Sequence, residues 1–146
     1  MTDLLSEDLV VPAGRSTTKE DAIREAGALL VGAGAVAPDY VDAMLAREQT
    51  VSTYMGSWLA IPHGTDEAKG TIRQSAICLI RYEHEIDWGG AGPVRVVVGI
   101  AGVGDEHLSL LSRIALVFTD AERVERLLAA TTAADLTAIL GEVEPA

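Results

Sequence analysis

Three histidines are the natural starting point for any chemistry in this chain, and each can be judged by its neighbours. His63 lies in LAIPHGT, residues 59–65, between a proline and a glycine and directly behind a short apolar run. Pro62 sets the direction in which the backbone leaves that run and removes a donor from the turn. Gly64 lets the backbone approach a bulky group with no side chain in the way. Thr65 and the DEA after it can open a helical turn whose unsatisfied N–H groups attract an anion. An imidazole presented beside backbone donors suits phosphoryl chemistry, where catalysis consists mostly of positioning and charge stabilisation.

His107 follows VRVVVGIA across the short loop GVGDE. With Asp105 as helix cap it falls in a first helical turn, whose positive end favours the neutral imidazole. A phosphoryl dianion nearby pushes the other way and favours a donating N–H. Ligands of open α/β sheets gather beyond the carboxyl ends of strands. If the strands before His63 and His107 run parallel and adjacent, both histidines reach one sheet edge. Spacing alone leaves two unrelated surface histidines as the alternative. His84, in YEHEID, reads as a solvated residue beside a turn.

The elements that must position these residues are legible in outline. TTKEDAIREAGALL predicts a helix, with Thr17 and Glu20 as a capping box and Ala22, Ile23, Ala26, Leu29 and Leu30 as its apolar face. Gly32 and Gly34 stop it. Pro38 fits the first turn of a second helix, PDYVDAMLARE, with Tyr40, Val41, Met44 and Leu45 turned inward. SWLAIP predicts a short buried strand, SAICLIRY a stronger one, HEIDW a brief edge strand, and VRVVVGIA the best strand of all. Helices return as EHLSLLSRIALVF, as AERVERLLAA capped by Asp120, and as LTAIL behind a Thr132–Asp135 capping box. The order predicts an α/β domain spanning residues 1–146, a sheet between helices.

Composition narrows the function classes. The chain has 146 residues, 49% hydrophobic and 23% charged, with a formal charge of −11. Such a surface repels phosphate backbones and anionic lipids, which argues against nucleic acid and membrane surfaces as partners. No apolar run is long enough to cross a bilayer, and the opening MTDLLSEDLVVPAG does not read as a leader, so a cytoplasmic protein is expected. The single cysteine, Cys78 within AICLI, excludes an internal disulfide and reads as a small buried hydrophobe. GAGAVA, residues 32–37, matches a dinucleotide fingerprint only superficially, because it follows a helix and runs into Pro38. GGAGP reads as a turn between strands. A zinc site from His63 and His107 with Asp66 or Glu67 lacks any supporting Cys pair or HExxH, so no metal or cofactor is expected.

The run REQTVSTYMGSWLAIPHGTDEAKG, residues 47–70, closely resembles the active-site segment of enzyme IIA of the mannitol/fructose class in the bacterial phosphoenolpyruvate:sugar phosphotransferase system. VVVGIAGVGDEHLSLLSRIA resembles the second motif of the mannitol-type branch, and AERVERLLAATTAADLTAIL its C-terminal helices. The resemblance implies a mixed sheet between helices. It implies that His63 takes phosphoryl from phosphohistidine in the carrier HPr and passes it to a cysteine of a cognate IIB. His107 is then the second active-site histidine and Arg47 the arginine beside the phosphoryl group, with a less defined role for Thr65. It also implies a stand-alone IIA protein, since no IIB portion follows Ala146, serving a sugar or sugar alcohol such as mannitol. Nitrogen-regulatory IIA relatives share IPHG, and a module whose phosphorylation selects protein partners is the alternative.

Overall fold

Two runs rich in β-branched residues form the longest strands, and their burial explains their composition. The chain, seen in a computed structural model, is described over residues 7–50, 52–64, 72–103, 112 and 114–141. A short 3-10 helix, Glu7–Leu9, leads into strand β1, Val10–Val11. Helices α1, Lys19–Gly32, and α2, Tyr40–Thr50, follow. Then come β2, Tyr54–Gly56, β3, Leu59–Ala60, β4, Ala76–Asp87, and β5, Pro93–Ala101. Residues 114–118 are helical, and α3, Ala121–Ala129, and α4, Ala133–Gly141, complete the described chain.

The described strands make one mixed sheet in the order β1-β4-β5-β3-β2. β1 runs parallel to β4, β4 antiparallel to β5, β5 parallel to β3, and β3 antiparallel to β2. The expected sheet between helices is therefore the observed architecture. Cys78, Ile80 and Tyr82 of β4 join Ala22, Ile23, Ala26 and Leu30 of α1 and Tyr40 and Met44 of α2 in one core. Ile77 and Leu79 join Val96, Val98 and Ile100 in a second core, under Ile114, Val117, Val124, Leu127 and Leu136. Strands buried on both faces read as continuous apolar runs, which is why AICLI and VRVVV lack alternation. Gly99 lets α1 settle close to the sheet, for a Cβ there would lie 2.7 Å from Cys78 Sγ and 3.1 Å from Ala26 Cβ.

Several expectations need correction. SAICLIRY and HEIDW are one twelve-residue strand, β4, whose register shift between Arg81 and Ile86 carries the exposed Glu83, His84 and Glu85. SWLAIP is mostly not strand. Ser57 and Trp58 have φ of 53° and 71° and form the turn of a β2–β3 hairpin, leaving only Leu59–Ala60 in β3. The α1 cap is Thr18 rather than Thr17, its hydroxyl accepting from Asp21 N at 3.2 Å. Helix α2 starts at Tyr40, with Tyr40 and Met44 buried but Val41 and Leu45 half-buried. Asp120 caps α3, and Thr132 accepts from Asp135 N at 3.1 Å, both as expected. The GAGAVA segment is a helix stop with Gly34 at φ 77°, and GGAGP joins β4 to β5. Asp105 lies outside the described residues.

On the α1 side, Glu25 gathers the segment before the helix onto the sheet. It accepts from Ser16 Oγ at 2.6 Å, Tyr82 Oη at 2.7 Å, and the amides of Arg15 and Ser16. Burial pushes its carboxyl upward, but the hydrogen bonds from Ser16, Tyr82 and the two amides outweigh that and leave the pKa lowered. A carboxyl depressed in the folded state stabilises above its unfolded pKa, and the benefit vanishes as pH falls through the folded value. Glu25→Gln therefore lowers the thermal midpoint at pH 7 by roughly 2–4 °C, the shift for about 1 kcal/mol after discounting partial exposure. The gap to wild type closes on acidification below the ordinary glutamate range. Thermal melts of both proteins between pH 7 and pH 3 check this, and a gap independent of pH would contradict it.

Candidate functional site

Proline ends β3, and the chain it releases stays fastened to β5. Leu59 and Ala60 pair in parallel with Val96 and Val97, and a further parallel bridge joins His63 to Ile100. Ile100 N donates to Pro62 O at 3.1 Å, so the His63 turn sits at the carboxyl end of two adjacent parallel strands. This is the arrangement the sequence required for two histidines to share an edge. His107 and Thr65 themselves, and Asp66 and Glu67, lie outside the described residues.

The half-buried His63 ring is fixed by a hydrogen bond of 2.9 Å between Nδ1 and the Ile61 carbonyl. A carbonyl oxygen can only accept, so Nδ1 carries the proton and Nε2 carries the lone pair. The unprotonated ring nitrogen of His63 is thereby Nε2. A backbone contact two residues away thus constrains the ring and selects its tautomer.

Tyr40, the first residue of α2, holds the other side of the turn. Its hydroxyl donates to Ile100 O at 3.1 Å and accepts from Gly64 N at 2.9 Å. Burial raises the Tyr40 pKa, opposed in part by the Gly64 amide, so the group stays a hydroxyl in neutral solution. A Cβ on Gly64 would stand 2.5 Å from Tyr40 Cε1. The bulky group that Gly64 admits is therefore the tyrosine ring, and its amide is spent on the hydroxyl rather than on an incoming anion. Tyr40 read from the sequence as a core residue, and its polar role was missed.

Arg47 occupies the last turn of α2, half-buried. Seven residues separate it from Tyr40, two helical turns or about 10.5 Å along the same face. Its neighbour Glu48 is buried, with only 5% of its surface exposed, and the sequence reading passed it over. Glu48 accepts from Trp88 Nε1 at 3.0 Å, from Thr53 N at 3.1 Å and from Thr53 Oγ1, with Lys19 Nζ at 3.9 Å. The available signal was its place in line with Tyr40 and Met44, at spacings of four, on a face otherwise apolar.

The remaining candidates sit apart from this turn. His84 is exposed on the distal half of β4, yet it is held rather than merely solvated: Nε2 lies 2.7 Å from Ser16 O and its ring meets Tyr82 edge-on. Cys78 is fully buried, its thiol lies 3.4 Å from Ala26 O, and burial pushes its pKa up to about 12, which agrees with the packing role expected. Among the described residues no three His, Cys, Asp or Glu groups come together as metal ligands. No described helix is long and apolar enough to cross a membrane.

Residues 3–143 match the family described as the phosphoenolpyruvate-dependent sugar phosphotransferase system, EIIA 2. The mannitol-specific phosphotransferase enzyme IIA component of Halalkalibacterium halodurans is 48% identical over 140 residues, covering 96% of each chain. Enzyme IIAMTL of Escherichia coli, solved in complex with phosphorylated enzyme IIBMTL, superposes with a TM-score of 0.89 at 32% identity over 95% of this chain and 99% of that one. The nitrogen regulatory protein IIA-Ntr of Neisseria meningitidis superposes with a TM-score of 0.84 at 26% identity over 95% and 97%. With the family match running over residues 3–143 and 48% identity to a relative along almost the whole of both chains, the chain belongs to the EIIA 2 family of the phosphoenolpyruvate-dependent sugar phosphotransferase system.

Proposed function

We propose that this protein is a phosphoryl carrier supporting mannitol uptake, with His63 as the residue phosphorylated. The observation that carries the reading is the hydrogen bond from Nδ1 to Ile61 O, which leaves the Nε2 lone pair as the nucleophile. That lone pair attacks the phosphorus of phosphohistidine in HPr. The new P–N bond forms as the old one breaks, and the departing electron pair returns to the HPr imidazole. In the second half of the relay a cysteine thiolate of a cognate IIB attacks, and the P–N electrons return to Nε2. Because Nδ1 keeps its proton, the phosphorylated ring is positively charged, and the Ile61 carbonyl faces that charge. Arg47 and His107 complete the proposed site by balancing the phosphoryl oxygens. The reading puts the protein in the cytoplasm as a single domain over residues 1–146.

Closer identity to the mannitol-specific relative than to the nitrogen regulatory protein, 48% against 26%, favours transport over regulation. A carrier must also transfer rapidly in both directions, whereas a regulator needs only an altered affinity for a target.

Incubation with phosphoenolpyruvate, enzyme I and HPr should add one acid-labile phosphoryl group to the wild-type chain and none to His63→Ala. Intact-protein mass spectrometry checks this, and equal labelling of the mutant would displace His63 from the role. For Arg47 the distinction is between charge and shape. A lone positive charge at a helix C-terminus survives replacement by lysine, but the planar guanidinium fork does not. Arg47→Lys should keep the thermal midpoint and slow transfer, and Arg47→Gln should slow it further. The loss is bounded at about ten- to a hundredfold, from one charge-assisted bond of roughly 1.5–3 kcal/mol formed only in the transition state. His107→Ala should slow transfer too while His84→Ala leaves it unchanged. Wild-type rates for Arg47→Gln and His107→Ala, onto and off His63, would remove both from the site.

A further inference from the structure

Glu48 is a carboxylate buried at the end of α2, and the proposed transfer step does not use it. Desolvating such a group costs several kcal/mol unless every lone pair is engaged, and removing one partner is expensive. Its partners come from three places in the chain, with Lys19 Nζ of α1 at 3.9 Å, but the closest set leads towards His63. Thr53 binds it through both amide and hydroxyl, and Thr53 is itself buried. The Thr53 carbonyl accepts from Ile61 N at 3.1 Å, the last rung of the β2–β3 hairpin. The Ile61 carbonyl in turn accepts from His63 Nδ1 at 2.9 Å. Trp88, at the turn after β4, closes the far side of the carboxylate with its indole N–H at 3.0 Å.

We propose that Glu48 is a positioning residue for His63, acting through Thr53 and Ile61 to hold the carbonyl that selects the Nδ1–H tautomer. The coupling is geometric, since the links pass through successive peptide units rather than one polarised amide. Thr53 starts a hairpin whose first strand is only Tyr54–Gly56 and whose turn residues Ser57 and Trp58 have positive φ. β3 is fixed by its pairing with β5, but β2 pairs only with β3 among the described strands, so this short edge strand needs a second hold at its start. The buried carboxylate supplies the anchor. It also ties the last turn of α2, which carries Arg47, to the same hairpin.

The inference rests on the phosphoryl-carrier reading for its effect on rate, but its spectroscopic test does not. Nitrogen-15 spectra of the unphosphorylated full-length chain report the His63 tautomer directly. Glu48→Gln retains the volume but offers an N–H₂ where Thr53 and Trp88 present donors, so the Nε2–H form of His63 should become populated. Transfer from purified phospho-HPr, measured well below the midpoint, should fall about tenfold, less than the roughly hundredfold that a full ~1 Å misplacement of a reacting group can cost. Thr53→Val, which is isosteric and keeps the amide, should move both readouts the same way by less, and it carries the test if Glu48→Gln does not fold. Arg81→Gln is the control, disturbing an equally buried charge bonded elsewhere in the fold. It should lower the midpoint while leaving tautomer and rate alone. An unchanged tautomer in Glu48→Gln, or in Thr53→Val where that variant alone folds, would overturn the proposal. So would an Arg81→Gln tautomer shift as large as that of the Glu48 or Thr53 variant. Labelling that persisted in His63→Ala would instead remove the carrier reading and leave the tautomer result intact.

Discussion

Leu59 and Ala60 run parallel to Val96 and Val97, and the reactive turn depends on that short pairing. Two paired residues cannot hold a chain segment alone, because each net hydrogen bond contributes only about 1 kcal/mol. The structure reinforces the contact at both ends. Before it, the Trp58 carbonyl accepts from both Arg95 N and Val96 N at 2.9 Å. After it, Pro62 and the Tyr40 hydroxyl take the amide and the carbonyl of Ile100. The turn is therefore defined by β5, a strand buried on both faces and unable to shift without opening two cores. A histidine in a loop becomes, by these contacts, a histidine on a rigid scaffold.

The rest of the molecule serves to keep β5 immobile. Its pairing with β4 runs from Ala76–Ala101 to Asp87–Pro93, and helices cover each side. The α1 face relies on small residues, with Gly99, Ala22 and Ala26 bringing helix and strand together. Tight contact of this kind leaves little room for adjustment, since interiors pack like organic crystals. The charged groups buried among the described residues are well bonded, as Glu48 is by Thr53 and Trp88.

How much of this was legible in the residues follows from the range of the interactions. PHG announced a turn that presents a base because the relevant physics is local to three residues. The continuous apolar runs announced β4 and β5, and the caps at Asp120 and Thr132 were read correctly because a cap depends on side chains within three positions. β1, β2 and the true extent of β3 were not legible, for periodicity cannot emerge from two or three residues. The polar Glu83-His84-Glu85 run hid the continuity of β4, although an exposed bulge tolerates such residues in mid-strand. Glu48 and the Tyr40 hydroxyl escaped for a different reason. A charge on a helix reads as solvated, and a tyrosine on an apolar face reads as core, until distant partners are known.

Arg81 gives the order of synthesis a physical meaning. Its guanidinium is buried and donates from Nε to Leu128 O at 2.8 Å and from Nη1 to Pro12 O at 2.9 Å, partners 47 and 69 residues away in opposite directions along the chain. Of the three residues, Leu128 is the last to be synthesised. Until then the guanidinium must stay hydrated, so the sheet edge formed by β1 and β4 cannot close around it. The edge between β1 and β4 is therefore complete only once α3 has docked, because Arg81 draws Pro12 and Leu128 to one guanidinium. Contacts spanning this much sequence also slow folding, since loop closure must precede the reward. One buried cation thus makes the segment before α1 and helix α3 depend on each other for closure of the sheet edge.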